Sequence, residues 1–187
     1  RYEIGYLKHN NASMLIGDGS FGCFAAEFLR DYGVLLRQEY GNVDLRGYDP
    51  ERSREWGANG VPDELEPIAR QHPIRDIALV NSYEDVRDAM ANGHPVVFCS
   101  GVGFEPSCQK CNPSGGRDSQ GFLNPCETWY HAMTGIGCDD TGRAGVLIQN
   151  SWGRHWVGGP KRHGQPDGSF WVDASVIDKM CAEGDSY

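Results

Sequence analysis

Trp129-Tyr130-His131-Ala132-Met133-Thr134-Gly135-Ile136-Gly137, then Gly145-Val146-Leu147-Ile148-Gln149 running into Asn150-Ser151-Trp152-Gly153, is the stretch around which the rest of the chain arranges itself. Bulky and small residues alternate around His131, the two-residue period of a strand, and Gly145–Gln149 has the composition of a second. Paired as neighbours, the two strands bring His131 and Asn150 to one rim. There an asparagine amide can hold an imidazole by one of its nitrogens, which is the orienting half of a nucleophilic site. The plainer alternative is a core histidine with its hydrogen bonds satisfied, and an asparagine that only forms the turn before Gly153.

At 187 residues the chain has room for one large domain or two small lobes with a real core. It opens on Arg1 rather than Met and reads as a fragment or a processed product. No apolar run reaches the length of a membrane span, no basic-then-apolar segment marks a signal peptide, and a membrane is not an expected partner. A net charge of −9 argues against nucleic acid as a partner, because phosphate binding needs a basic surface. The one basic cluster, Lys161-Arg162-His163, lies in a Gly/Pro-rich loop and is expected to be a solvated face. Seven cysteines is an odd number, so at least one has no disulfide partner within the chain.

Before the deciding stretch, Asn11-Ala12-Ser13 matches a glycosylation sequon, a triplet common by chance. Gly17-Asp18-Gly19-Ser20 is a turn with Ser20 placed to cap a helix. Phe21, Phe24, Ala25, Phe28, Leu29 and Tyr32 then follow at offsets of 0, 3, 4, 7, 8 and 11, one face of an α-helix that Gly33 stops. Cys23 lies off that stripe near the helix start, where the dipole lowers a thiol pKa. Residues 41–60 are rich in Gly, Asp, Arg and Asn and read as a surface loop around Tyr48 and Trp56. Val61-Pro62-Asp63-Glu64-Leu65 opens a short helix that closes before Pro73, and a lobe boundary is expected near His72-Pro73.

Ile74–Val80 reads as a strand. A helix capped by Ser82 turns Val86, Ala89 and Met90 inward and ends at Gly93, and Pro95–Ser100 is the next strand. The loop from Gly101 to Thr128 is long enough to suggest function. It carries Cys108-Gln109-Lys110-Cys111 and Cys126, three cysteines that offer an incomplete zinc site, a local disulfide or free thiols. A fourth zinc ligand has to come from His131, Cys99 or Cys138, and drawing it from His131 competes with the pairing of that imidazole with Asn150. Beyond the turn-rich stretch 158–168, Ser169–Val172 is a closing strand, and Asp173–Cys181 a terminal helix with Val176, Ile177 and Met180 inward.

The His131-Ala132 strand followed by Asn150-Ser151-Trp152-Gly153 resembles the histidine and asparagine segments of papain-like cysteine peptidases. The resemblance implies an α+β fold of papain type, with a partial helical lobe over 1–72 and an antiparallel β lobe over 73–187. It also implies that His131 takes the thiol proton, Asn150 orients it and Trp152 shields their hydrogen bond from water. Gly22-Cys23-Phe24-Ala25 is faintly similar to the family's nucleophile helix, yet the glutamine that precedes it there is missing between Ile16 and Gly22. A second register fits without a gap: the glycine turn, the helix from Phe21, Tyr32-Gly33-Val34 and Arg37-Gln38-Glu39-Tyr40 resemble the stretch that follows the nucleophile helix. In that register Gly19 and Ser20 lie against an extended substrate, and the nucleophile precedes Arg1.

The expected activity is therefore peptide-bond hydrolysis through a thiolate–imidazolium pair, with Cys23 the minority candidate for the nucleophile. Its substrate is a peptide or protein, an upstream segment or another chain completes the fold, and no cofactor is expected. The competing expectation is a papain-like module without activity, serving as a binding or structural part of a larger assembly.

Overall fold

The computed structural model describes residues 21–187, which fall into two compact units divided between Ala78 and Leu79. The turn at 17–20, with Gly19 and Ser20, and the sequon at Asn11 lie outside the described residues. Helices and antiparallel strands make up both units, so the fold class is α+β.

In the first unit, helix α1 spans Gly22–Tyr32, and Phe21 occupies the N-cap position without a side-chain cap, one residue later than a helix capped by Ser20. Phe28 is buried on the predicted stripe and stacks on Tyr32 at 4.8 Å. Gly33 ends the helix at φ +74°, its N–H donating to the Leu29 carbonyl. A Cβ at Gly33 would strike the Ala69 carbonyl, so the stop is imposed by close packing as well as by φ.

The loop expected over 41–60 is corrected in two places. Strands β1 (Glu39–Tyr40) and β2 (Val43–Asp44) form a small hairpin, and Pro50–Asn59 is helix α2. The helix shows no apolar stripe because its covered side is made by Arg52, Ser53, Trp56 and Gly57, of which only Gly57 is fully buried. Its start is nonetheless encoded: the Asp49 carboxylate accepts the N–H groups of Glu51 and Arg52, and Pro50 fills the first turn, where no N–H is needed. The next helix, α3, covers only Glu66–Ala69, with Pro67 rather than Pro62 in its first turn.

The strand expected over Ile74–Val80 does not form, and among the described residues no strand offers it a ladder. Val80 N–H finds the Ser186 carbonyl instead, and Ile74 and Leu79 stay exposed. Helix α4 (Tyr83–Ala91) begins as predicted, with Ser82 Oγ accepting the Asp85 N–H. Strands β3 (Val96–Val102), β4 (Thr128–Asp139), β5 (Gly145–Gln149) and β6 (Ser169–Asp173) make one antiparallel sheet in sequence order. Helix α5 (Ala174–Cys181) follows, with Asp173 held by Arg143 rather than capping it.

Register places Val96, Phe98, Met133, Gly135, Ile148 and Phe170 on one face, and with Val86, Ile177 and Met180 from the two helices they form the core of this unit. Gly135 is the tight point: a Cβ there would run into Met90 and lie 2.8 Å from the Phe98 ring. Both edges of the sheet are partly covered. Val97 exchanges backbone hydrogen bonds with Tyr187 beside β3, and Trp171 of β6 bonds to Gly121 and Leu123.

Of the basic cluster, Lys161 and His163 are exposed as expected and Arg162 is not. Arg162 is largely buried and pairs with Asp139, to which His163 Nε2 also comes within 2.9 Å, while Lys161 pairs with Asp167. Among the described residues no helix is long and apolar enough to cross a membrane.

Candidate functional site

Burial along β4 alternates, with Trp129, His131, Met133 and Gly135 on the covered side and Tyr130, Ala132 and Ile136 exposed. On β5, Ile148 pairs with Gly135 and Gln149 with Thr134. Extending that register beyond the end of β5 sets Asn150 across from Met133 and Trp152 across from His131, all on the same face. His131 and Asn150 are therefore diagonal neighbours, a spacing that long side chains span. His131 Nε2 lies 2.9 Å from Asn150 Oδ1, and the Trp152 indole stacks on the imidazole at 4.5 Å.

The proton on the imidazole can be placed from the chemistry of its neighbours. Asn150 Oδ1 also accepts the Ser151 backbone N–H at 2.7 Å, and a backbone N–H can only donate. The amide atom facing His131 is therefore the oxygen, so Nε2 must carry the hydrogen and donate it. In the neutral ring that leaves the Nδ1 lone pair available to take a proton. Asn150 Nδ2 is buried without a partner, so the orientation of the amide is set through its oxygen.

Three tryptophans wall the pair. Trp129 lies 5.9 Å from the imidazole and 4.6 Å from Trp152, and Trp156 stands 5.5 Å from Trp152 and from Phe170 of the core. Trp129 packs so closely on Gly103 that no Cβ fits there. Asn150 is 3% exposed whereas Trp152 is 45% exposed, so the bond is sealed from below and covered by a ring that meets solvent. Sequence reading found His131, Asn150 and Trp152 but missed Trp129 and Trp156. Trp129 was legible in principle, since it stands two residues before His131 on a strand and must share its face.

Arg117 is a further positioning residue that sequence reading passed over. It is 3% exposed and donates Nε to the Pro160 carbonyl, Nη1 to Ser169 and Nη2 to Gly159, each at 2.8 Å. Burial pushes its guanidinium pKa down from the ordinary value. The fork pins the return path from Gly153 to β6. At the start of that path Gly153 adopts φ +100°, and a Cβ on Gly168 would lie 2.6 Å from the Gly153 carbonyl.

Cys23 is the second residue of α1 and half-buried, while Gly19 and Ser20 lie outside the described residues. Of the cysteines in the long loop, Cys111 and Cys126 are joined in a disulfide and Cys108 is a free thiol. In this state the three-thiolate zinc set is not available, because two of its sulfurs are spent on each other.

No protein-family profile matches the chain, and no curated protein matches it. Among solved structures, the digestive procathepsin L2 proteinase from the larval midgut of Tenebrio molitor is similar to it with a TM-score of 0.44 and 19% sequence identity, over 87% of this chain and 44% of that one. The chain thus spans less than half the length of that neighbour. At this identity and TM-score the likeness assigns no activity to the chain.

Proposed function

We propose that the chain is the histidine- and asparagine-bearing part of a papain-like cysteine peptidase. The observation that carries the reading is the Nε2–H to Oδ1 hydrogen bond from His131 to Asn150 under the Trp152 ring, which leaves Nδ1 as a base. The Asn-Ser-Trp-Gly sequence supports it independently.

In this reading Nδ1 takes the proton of a cysteine thiol, and the imidazolium that results keeps its Nε2–H on Asn150. The thiolate attacks a peptide carbonyl, the imidazolium returns the proton to the leaving amine, and water drawn through the same base releases the acyl group. Trp152 shields the His131–Asn150 bond, which keeps it strong. The thiol is proposed to come from sequence preceding Arg1, with Cys23 as the second candidate. Gly19 and Ser20 are proposed to line the path of an extended peptide.

The second reading, a papain-like binding or structural module without activity, is favoured by the absence of a glutamine ahead of Cys23. A peptide carrying a thiol-directed warhead separates the cases when applied to the parent polypeptide and to its His131→Ala variant. Labelling of a cysteine ahead of Arg1 that is lost in the variant supports the peptidase. Labelling at Cys23 moves the nucleophile there, and no His131-dependent labelling of any cysteine leaves the non-catalytic module.

A further inference from the structure

The loop between β3 and β4 holds a free thiol against a disulfide. Cys108 Sγ lies 3.8 Å from Cys111 Sγ, which is bonded to Cys126, and the three sulfurs all lie within 4.8 Å of one another. Cys108 is fixed beside Cys111 by a tight turn in which its carbonyl accepts the N–H groups of Cys111 and Asn112.

A second set of contacts holds Cys111 near Cys126 without help from the sulfurs. Asn112, 2% exposed, donates Nδ2 to the carbonyls of Glu105 and Asn124 and accepts the Asn124 N–H on Oδ1. Asn124 Nδ2 returns a bond to the Cys111 carbonyl, and Cys126 N–H donates to Gly103. These bonds do not depend on which sulfur pair is joined, so the bridge can move while the backbone stays in place.

We propose that Cys108, Cys111 and Cys126 form a thiol–disulfide exchange site with two bonded states. The Cys108 thiol gives its proton to solvent, and its thiolate attacks Cys111 Sγ. The Cys108–Cys111 bond forms, the Cys111–Cys126 bond breaks, and Cys126 leaves as a thiolate that takes up a proton. One thiolate and one disulfide stand on each side, so no oxidant or reductant is consumed. Holding the attacking sulfur beside its target makes the step intramolecular. In the second state the loop from Asn112 to Pro125 keeps the asparagine bonds, the Arg117 fork and the Leu123–Trp171 bond, and loses only its sulfur link to Cys126. Cys126 is then released two residues ahead of β4, the strand that carries Trp129 and His131.

The test is a disulfide map of the whole chain. The protein is oxidised with oxidised glutathione, freed of the reagent, held at a series of pH values, quenched with acid to stop exchange, denatured and alkylated with N-ethylmaleimide. Label divided between Cys108 and Cys126 is the expected result. In Cys108→Ser the Cys126 label is lost, and in Cys126→Ser a Cys108–Cys111 bridge forms. Three outcomes overturn the proposal: label confined to Cys108 at every pH, label on all three cysteines with or without bound zinc, or Cys108 and Cys111 both remaining reduced in the oxidised Cys126→Ser protein.

Discussion

Asn150 presents one oxygen to two donors at once, the imidazole of His131 at 2.9 Å and the backbone of Ser151 at 2.7 Å. The second donor removes the ambiguity of the amide, and through it the imidazole is confined to the tautomer protonated at Nε2.

That tautomer is directly measurable. Nitrogen-15 NMR of the imidazole at a pH where the ring is neutral is expected to show hydrogen on Nε2 and a bare Nδ1. Asn150→Ala removes a hydrogen bond of about 1 kcal/mol, which shifts the tautomer ratio about fivefold toward the other form. An unchanged spectrum in that variant would show that something other than Asn150 orients the ring.

Trp152 is expected to protect the bond beneath it. Trp152→Ala removes a half-exposed ring stacked on His131 and in contact with Trp129 and Trp156, at a loss of about 1 kcal/mol of stability. The effect that distinguishes shielding from simple packing is faster solvent exchange of the Nε2 hydrogen, read in the same NMR experiment.

Gly135 is a packing constraint with a stated remedy. Gly135→Ala drives a methyl toward Met90 and the Phe98 ring, and overpacking of this kind lowers stability by about 1–3 kcal/mol. Met90 ends in a flexible chain and the ring does not yield, so Met90→Ala is expected to recover part of the loss. Thermal unfolding of the two single variants and the double variant checks both statements.

Arg117→Leu leaves the carbonyls of Gly159 and Pro160 without their side-chain donor, and the expected loss is about 3 kcal/mol in urea unfolding. Lysine cannot reproduce a fork that reaches three carbonyls, so Arg117→Lys is expected to recover little of it. In both variants proteolytic nicking between Gly153 and Gly168 is expected to increase.

Acid acts on the same region. Asp139 is held down from 3.8 to about 2, first by the Thr141 hydroxyl and its backbone N–H and then by Arg162 and His163. Asp167 is held to about 2 by Lys161 and Arg154. A carboxylate whose folded pKa is depressed contributes its full stabilisation above the unfolded value and loses it as pH falls toward the folded one. Stability is therefore expected to drop between about pH 4 and pH 2, and Asp139→Asn and Asp167→Asn each to flatten that drop in an acid unfolding titration.

The sequence by itself determined the strands β4, β5 and β6, the helices α1, α4 and α5, and the meeting of His131 with Asn150, because each is written in a local period or a short cap. Alternation around His131 and the apolar run before Asn150 specify faces, and two faces brought into register specify a contact. Signals without a period were lost. Helix α2 has no apolar stripe and is announced only by Asp49-Pro50, and Arg117 looks like any loop arginine until three carbonyls from a distant segment surround it. Ile74–Val80 failed in the opposite way, since its composition suits a strand but a strand exists only where a partner supplies its hydrogen bonds. The tertiary structure alone decided that Arg162 would pack against Asp139, that Trp156 would join the wall around the imidazole, and that Cys108 would rest beside a bridge between Cys111 and Cys126. Each of these depends on residues far apart in the chain, and local propensity carries no information about which distant group will be close.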